Sequence, residues 1–313
     1  MITRLVLLLL LCTSAHAEQP RNFLFMGSGD LAENARLISR PDIGGVQVVY
    51  PWKQLEKAPG EYDFSEIEAD LAITDRLGKK LFIQIQDRFF MREHRNIPRY
   101  LLEDSRYGGG LAPQRDNPGE NRPEGSGWVA MQWNPAVRAR FQSLISALAK
   151  QFDGRVYGIN LPETAADIDR DRDTTGFDCD LYFDAELENI RHTRRVFAKS
   201  YEVQYVNFWP CSWGDERGYF KRFFEVLEKE RIGAGGPDIV PNRPGQMKNS
   251  YPFLNRYRDR LPLIAMAVQD ATLTYVNPST QRPFTHEEFV AFARDFLGVD
   301  VIFWDVSSPW LSR

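Results

Sequence analysis

The sequence predicts an α/β chain closed into a single (β/α)8 barrel, and three observations predict it. Strand-like apolar runs alternate with amphipathic helical segments from end to end, and eight such alternations can be traced. Alternation of this kind gives a parallel sheet with right-handed crossovers, and eight units imply closure. The length of 313 residues suits such a barrel, which occupies about 250 residues or more as one domain. With 43% hydrophobic and 26% charged residues, the chain is too apolar for disorder and too evenly charged for a membrane bundle.

The first strand is the short apolar run 23–27, and the second is 45–50. A helical pattern over 66–77 ends at Gly78, a residue that readily takes the left-handed conformation closing a helix. The third strand is 80–86. An amphipathic helix covers 135–152, with Phe141, Leu144, Leu148 and Phe152 on one stripe. The fourth strand is 156–161, followed by a helix over 185–199; the fifth is 203–209, followed by a helix over 216–231. The sixth lies within 232–240, where glycines dilute the pattern, and the seventh is 261–268. Thr285 and Glu288 form a capping box that opens another helix. The eighth strand is 299–304, and the nine residues after it are too few for a full last helix. Two irregular stretches interrupt the order: a long loop over 88–134 after the third strand, and 167–180 after the fourth. Loops after strands lie on the face where barrels carry their active sites.

The chain opens with Arg4, an apolar run over 5–11 and the small-x-small pattern Ala15-His16-Ala17. We read residues 1–17 as a signal peptide and 18–313 as the barrel domain, exported to a periplasm or outside the cell. The apolar run falls short of the ~20 residues that span a bilayer, so no span is expected in the mature chain. A formal charge of -4 leaves no basic surplus for a phosphate backbone, and nucleic acid is not an expected partner. Beyond the leader, two cysteines remain, Cys179 and Cys211. Export permits a disulfide between them; two free buried thiols are the alternative.

Strand alternation projects the barrel interior. Leu81, Ile83 and Ile85 are expected to face the outer helices, leaving Gln84 and Gln86 inside. On the seventh strand Ala265, Ala267 and Gln269 point inward; Gln47, Asn160 and Gln204 are the inward amides of the second, fourth and fifth. The deep amides suit a hydrogen-bond network, and Gln86 and Gln269, at the carboxyl ends, suit a hydroxylated ligand.

The string Tyr50-Pro51-Trp52 through Pro59-Gly60-Glu61-Tyr62-Asp63-Phe64, followed by a helix and the strand 80–86, resembles the second-to-third strand region of clan A glycoside hydrolases. The resemblance implies a TIM barrel with catalytic carboxylates at the ends of the fourth and seventh strands. It makes Glu163 the general acid/base. The family sets an Asn directly before this Glu; here Asn160 lies three residues earlier. On the seventh strand Gln269 takes the inward place of the family's nucleophile, and an amide cannot form a glycosyl ester. Asp270 is then the expected second carboxylate, and a displaced acid would suit the inverting separation of ~6.5–9.5 Å. Asp87, Asp238 and Asp305 are the other acids at this face. Trp304 is similar to the strand-end Trp that floors the family's sugar site, and Trp209 and Trp213 follow the fifth strand. Gln86, Arg88, Trp209, Trp213, Gln269, Trp304 and Asp305 form the expected sugar-binding set. The expected activity is hydrolysis of a β-linked oligo- or polysaccharide. The alternative is a carbohydrate-binding barrel that has lost its nucleophile, with Gln269 as its support.

Metals and cofactors are not expected. Asp169, Asp171 and Asp173 alternate as in a calcium loop with Asp180 at the twelfth position, but Thr174 replaces the turn glycine and arginines neutralise the run. His94, His192 and His286 lack ligand spacing for zinc. No P-loop, dinucleotide fingerprint or Gly-x-Ser-x-Gly elbow is present.

Overall fold

A computed structural model of the chain describes residues 19–115, 126–168, 170 and 173–312. The leader read at 1–17 lies outside them, as do Asp169 and Asp171 of the acidic loop. Among the described residues, eight parallel strands pair in chain order and close on one another: β1 Arg21–Phe25, β2 Ile43–Pro51, β3 Lys80–Gln86, β4 Gly158–Leu161, β5 Tyr201–Tyr205, β6 Gly233–Gly236, β7 Ile264–Val268 and β8 Val301–Asp305. Helices, among them Ser65–Arg76, Pro135–Phe152, Cys179–Val196, Tyr219–Glu230 and His286–Phe292, surround the sheet. This is a single (β/α)8 barrel. Asn134 caps the Pro135–Phe152 helix by accepting from the Ala136 and Val137 amides, and the Thr285–Glu288 capping box is formed. A 3₁₀ turn, Pro309–Ser312, follows β8.

The core has two layers. Between sheet and helices lie Val46, Val48, Leu81, Ile83, Ile85, Ile264, Met266, Val268 and their neighbours. Inside the barrel a separate cluster holds Phe23, Phe82, Val203, Tyr205, Ala265, Ala267, Val301 and Phe303. The glycines of β6 have a steric cause. A Cβ on Gly235 would lie 1.9 Å from the Ala265 carbonyl oxygen of β7 and 3.0 Å from the Tyr205 ring, so a side chain there would strike the neighbouring strand and crowd the tyrosine. Val203 and Tyr205 therefore hold the inner face of β5, and Gln204 turns outward, opposite to the sequence expectation; its amide donates to the Pro162 and Tyr205 carbonyls.

The stretch after β3 is not structureless. It carries the helix Arg99–Glu103 and an antiparallel hairpin of Leu111–Arg115 with Ser126–Ala130. The string Tyr50 to Phe64 folds as a knot around Glu56, which is fully buried. Its carboxylate accepts from the Trp52 indole (2.8 Å), the Gly60 amide (2.9 Å) and Arg140. Tyr62 stacks on Phe64, and Phe64 packs against Phe152. That string shapes the scaffold and contributes nothing to the cleft wall.

Candidate active site

A cleft of about 1210 Å³ opens at the carboxyl ends of the strands. Tyr205 and Gln84 lie at its base, and Glu163, Asn207, Asp238, Gln269, Gln86 and Arg88 line it. Tyr205 is held by a bond between its hydroxyl and the buried Gln47 amide (3.0 Å). The interior thus carries amides as alternation implies, with Tyr205 in place of Gln204.

Glu163 follows β4 past Pro162 and stands partly buried in the cleft. Its Oε2 accepts from the Asn207 side-chain amide. Loss of water raises its pKa from 4.5 to about 7; Arg88 opposes the rise, the Asp238 charge adds to it, and the Asn207 bond opposes it. A carboxyl with this value is shared between its protonated and ionised forms near neutrality, which suits a general acid. The Asn160 side chain donates to the Leu161 carbonyl (3.0 Å) and plays no part at Glu163. The amide that serves Glu163 comes instead from the neighbouring strand. The polar outer face of β5 conceals Asn207 from an alternation argument; with Val203 and Tyr205 inward, the next inward position is 207.

Asp238, two residues beyond β6, is the other carboxylate lining the cleft among the described residues. Its Oδ1 accepts from the Thr272 hydroxyl (2.6 Å), and Arg243 stands 4.0 Å from its Oδ2. Burial raises its pKa, and the Thr272 bond opposes this. Arg88 is almost wholly buried and bonded to Asp87 (2.8 Å), Glu186 (3.1 Å) and the Tyr182 hydroxyl (2.7 Å). Gln132 donates to the other Asp87 oxygen, so this guanidinium is fixed and acts on the cleft through its charge. Gln86 accepts from Asn96 (3.2 Å) at the cleft wall. Gln269 lines the cleft at the end of β7, in the inward place alternation gives it.

Four expected site residues lie elsewhere. Asp270 is exposed, starts the short helix Asp270–Leu273, and bonds the Ser307 hydroxyl (2.9 Å) outside the cleft. Asp305 accepts from the same Ser307 through its amide and hydroxyl and does not line the cleft either. Trp304 faces outward: its indole donates to Asn22 (2.9 Å) and its ring packs on His286, Phe289 and Trp310. β8 presents Val301 and Phe303 to the interior, which turns position 304 to the helices. Trp209 is buried against Phe183, Tyr182, Tyr219 and Phe223 under the helical layer. Trp213, by contrast, lines the cleft.

Cys179 and Cys211 are disulfide-bonded, with Cα atoms 6.2 Å apart. No group of three or more potential metal ligands occurs among the described residues, and none of the described helices is long and apolar enough to cross a membrane. Asp173 closes its own turn by accepting from the Thr175 and Phe177 amides.

Solved structures share the barrel. The lactosyl-enzyme intermediate of endo-glycoceramidase II from Rhodococcus sp. superposes with a TM-score of 0.56, covering 94% of this chain and 74% of that one at 14% identity. A thermostable mutant of a xylanase from Cellvibrio japonicus gives 0.52, covering 93% and 87% at 10% identity. A family 39 glycoside hydrolase from Bacteroides cellulosilyticus WH2 gives 0.50, covering 92% and 56% at 12% identity. What these structures have in common with this chain is the closed eight-stranded parallel barrel that the sequence resemblance implies. At these identities the likeness concerns the fold. No protein-family model and no curated protein sequence matches the chain.

Proposed function

We propose that the protein hydrolyses a glycosidic bond in a β-linked oligo- or polysaccharide, with Glu163 as general acid and Asp238 as general base. The observation that carries this reading is a carboxyl with a pKa of about 7 in a large cleft, electrostatically coupled to a second carboxylate there. Glu163 gives its proton to the glycosidic oxygen as the bond from that oxygen to the anomeric carbon breaks. A water oxygen forms the new bond to that carbon, and Asp238 takes the water's proton. Gln269 stands where the resemblance expects a nucleophile and supplies an amide to a sugar hydroxyl instead. Direct attack by water gives inversion at the anomeric carbon, to be read by proton NMR of the first product formed.

Replacement Glu163→Gln should lower turnover by about 10²–10⁴ while leaving the melting curve two-state. Unchanged hydrolysis would end this assignment. Gln269 also favours a second reading, glycan binding without cleavage. Measurable affinity for a glycan that the parent protein never cleaves supports that reading over hydrolysis. We also propose export: the leader pattern and the disulfide, a bond that persists in oxidising compartments, both support it.

A further inference from the structure

We propose that Trp213 is the stacking platform of an outer sugar subsite, so that the cleft takes a glycan chain several rings long. This rests on reading the cleft as a sugar site. Trp213 is 39% exposed in the cleft wall, yet the chain on both sides of it is pinned. Two residues earlier, Cys211 is tied to Cys179 at the start of the Cys179–Val196 helix. Ser212 is fully buried, and its hydroxyl accepts from the Arg217 amide (3.0 Å). Gly214 donates its amide to Oδ1 of the buried Asn249 (2.9 Å).

Asn249 does a second thing. Its Nδ2 donates to the Gly245 carbonyl (2.9 Å), so the side chain that receives Gly214 from the loop after β5 is itself held within the segment after β6. Gly245 lies beside the indole: a Cβ there would meet Cη2 of Trp213 at 3.6 Å. Phe208, next in the chain to the Asn207 that bonds Glu163, approaches the indole with ring centroids 5.9 Å apart. A rigid backbone therefore holds an exposed indole along the same wall as the acid. Such an arrangement loses little freedom on binding, which is what preorganisation requires. An indole face is complementary to the C–H face of a pyranose ring. The cleft, at about 1210 Å³, also exceeds the ~300–1,000 Å³ usual for single small ligands. The occupant is thus a pyranose ring of a glycan, beyond the ring at Glu163.

The test uses the Glu163→Gln protein, so that ligand is not consumed. Di- and hexasaccharides of β-1,4-linked glucose, xylose and mannose are titrated by calorimetry into E163Q, E163Q/W213A and E163Q/W213F. The best hexasaccharide should bind roughly tenfold more weakly when Trp213 is Ala, with part of the loss recovered by Phe. The matching disaccharide should change by less than about twofold. Hexasaccharide affinity unaltered by W213A, or no binding of any of the six sugars, overturns the subsite. The two readings fail separately. Length-dependent binding that needs Trp213, without cleavage by the parent protein, leaves the subsite and removes hydrolysis. Cleavage with a length preference that W213A does not alter does the reverse.

Discussion

Glu56 and Glu163 are both carboxylates drawn into the fold, and their surroundings differ in one respect. Glu56 sits with no exposed surface and is met by an indole N–H, a backbone N–H and a guanidinium. Glu163 stands beside open space with one amide donor, and the nearest carboxylate in the cleft adds to its difficulty in ionising. The first holds a charge that the fold has fully answered. The second holds a proton that the fold leaves available. Burial alone therefore does not single out the proposed acid; burial with too few donors, in a cavity, does.

Removing the answered charge should have the greatest consequence. Glu56→Ala strands the Trp52 and Gly60 donors and separates Arg140 from its carboxylate, though Arg140 keeps the Tyr100 hydroxyl at 3.0 Å. Loss of one partner from a buried pair costs about 3–5 kcal/mol, and the urea midpoint should fall accordingly. A shift below about 1 kcal/mol would mean that the knot is not a stabilising centre.

The converse holds at Glu163, where removing the charge should help. Its folded pKa of about 7 stands above its ordinary 4.5, so its contribution to stability is present below the ordinary value and lost as pH rises through 7. Glu163→Gln should match the parent at pH 4 and exceed it at pH 8 by up to about 3 kcal/mol. Asp70, raised to about 6 by burial, adds a slope of the same sign to both proteins and cancels in the difference. A stability gap that does not vary with pH would contradict the assigned cause.

The two neighbours of Glu163 should pull in opposite directions. Asp238→Asn removes a like charge and lowers the Glu163 pKa; Asn207→Ala removes a donor to the ionised form and raises it. Each shift should be of order one unit, followed by carbon NMR of the labelled carboxyl across the titration. Movement in the same direction in both variants would refute the electrostatic description of the site.

The scaffold was legible in the sequence where a pattern ran unbroken. Residues 80–86 alternate cleanly, and 135–152 carry a stripe with Asn134 and Pro135 at the entry, so both are found as read. The cleft was less legible, because the outer face of β5 is itself polar. Glu202 and Gln204 are buried there, with no partner for either Glu202 oxygen among the described residues, and their polarity disguised which side was in. That reversed phase hid Asn207. Asp238 appeared only among the acids of the face, since three glycines in β6 leave no alternation to project from. Trp304 was misplaced for a different reason: a strand-end tryptophan was read by resemblance, while Val301 and Phe303 already assign the inner face of β8. The disulfide could not be derived from spacing, because it joins a helix start to a loop one helix and one strand further on, 32 residues along the chain.

At Asp270 almost no change is expected. Asp270 follows directly on Gln269, the inward residue at the end of β7, yet it is exposed and engaged with Ser307. An exposed carboxylate bonded to one hydroxyl keeps its water, and nothing about it resembles the desolvated state of Glu163. Asp270→Asn should change turnover by less than about twofold and unfolding free energy by less than about 0.5 kcal/mol. Should it abolish hydrolysis while Asp238→Asn leaves it intact, the second carboxylate would be the one beyond β7 after all. The cleft would then have to close around Asp270 when sugar binds, and desolvation in the unliganded state would no longer identify the acting pair.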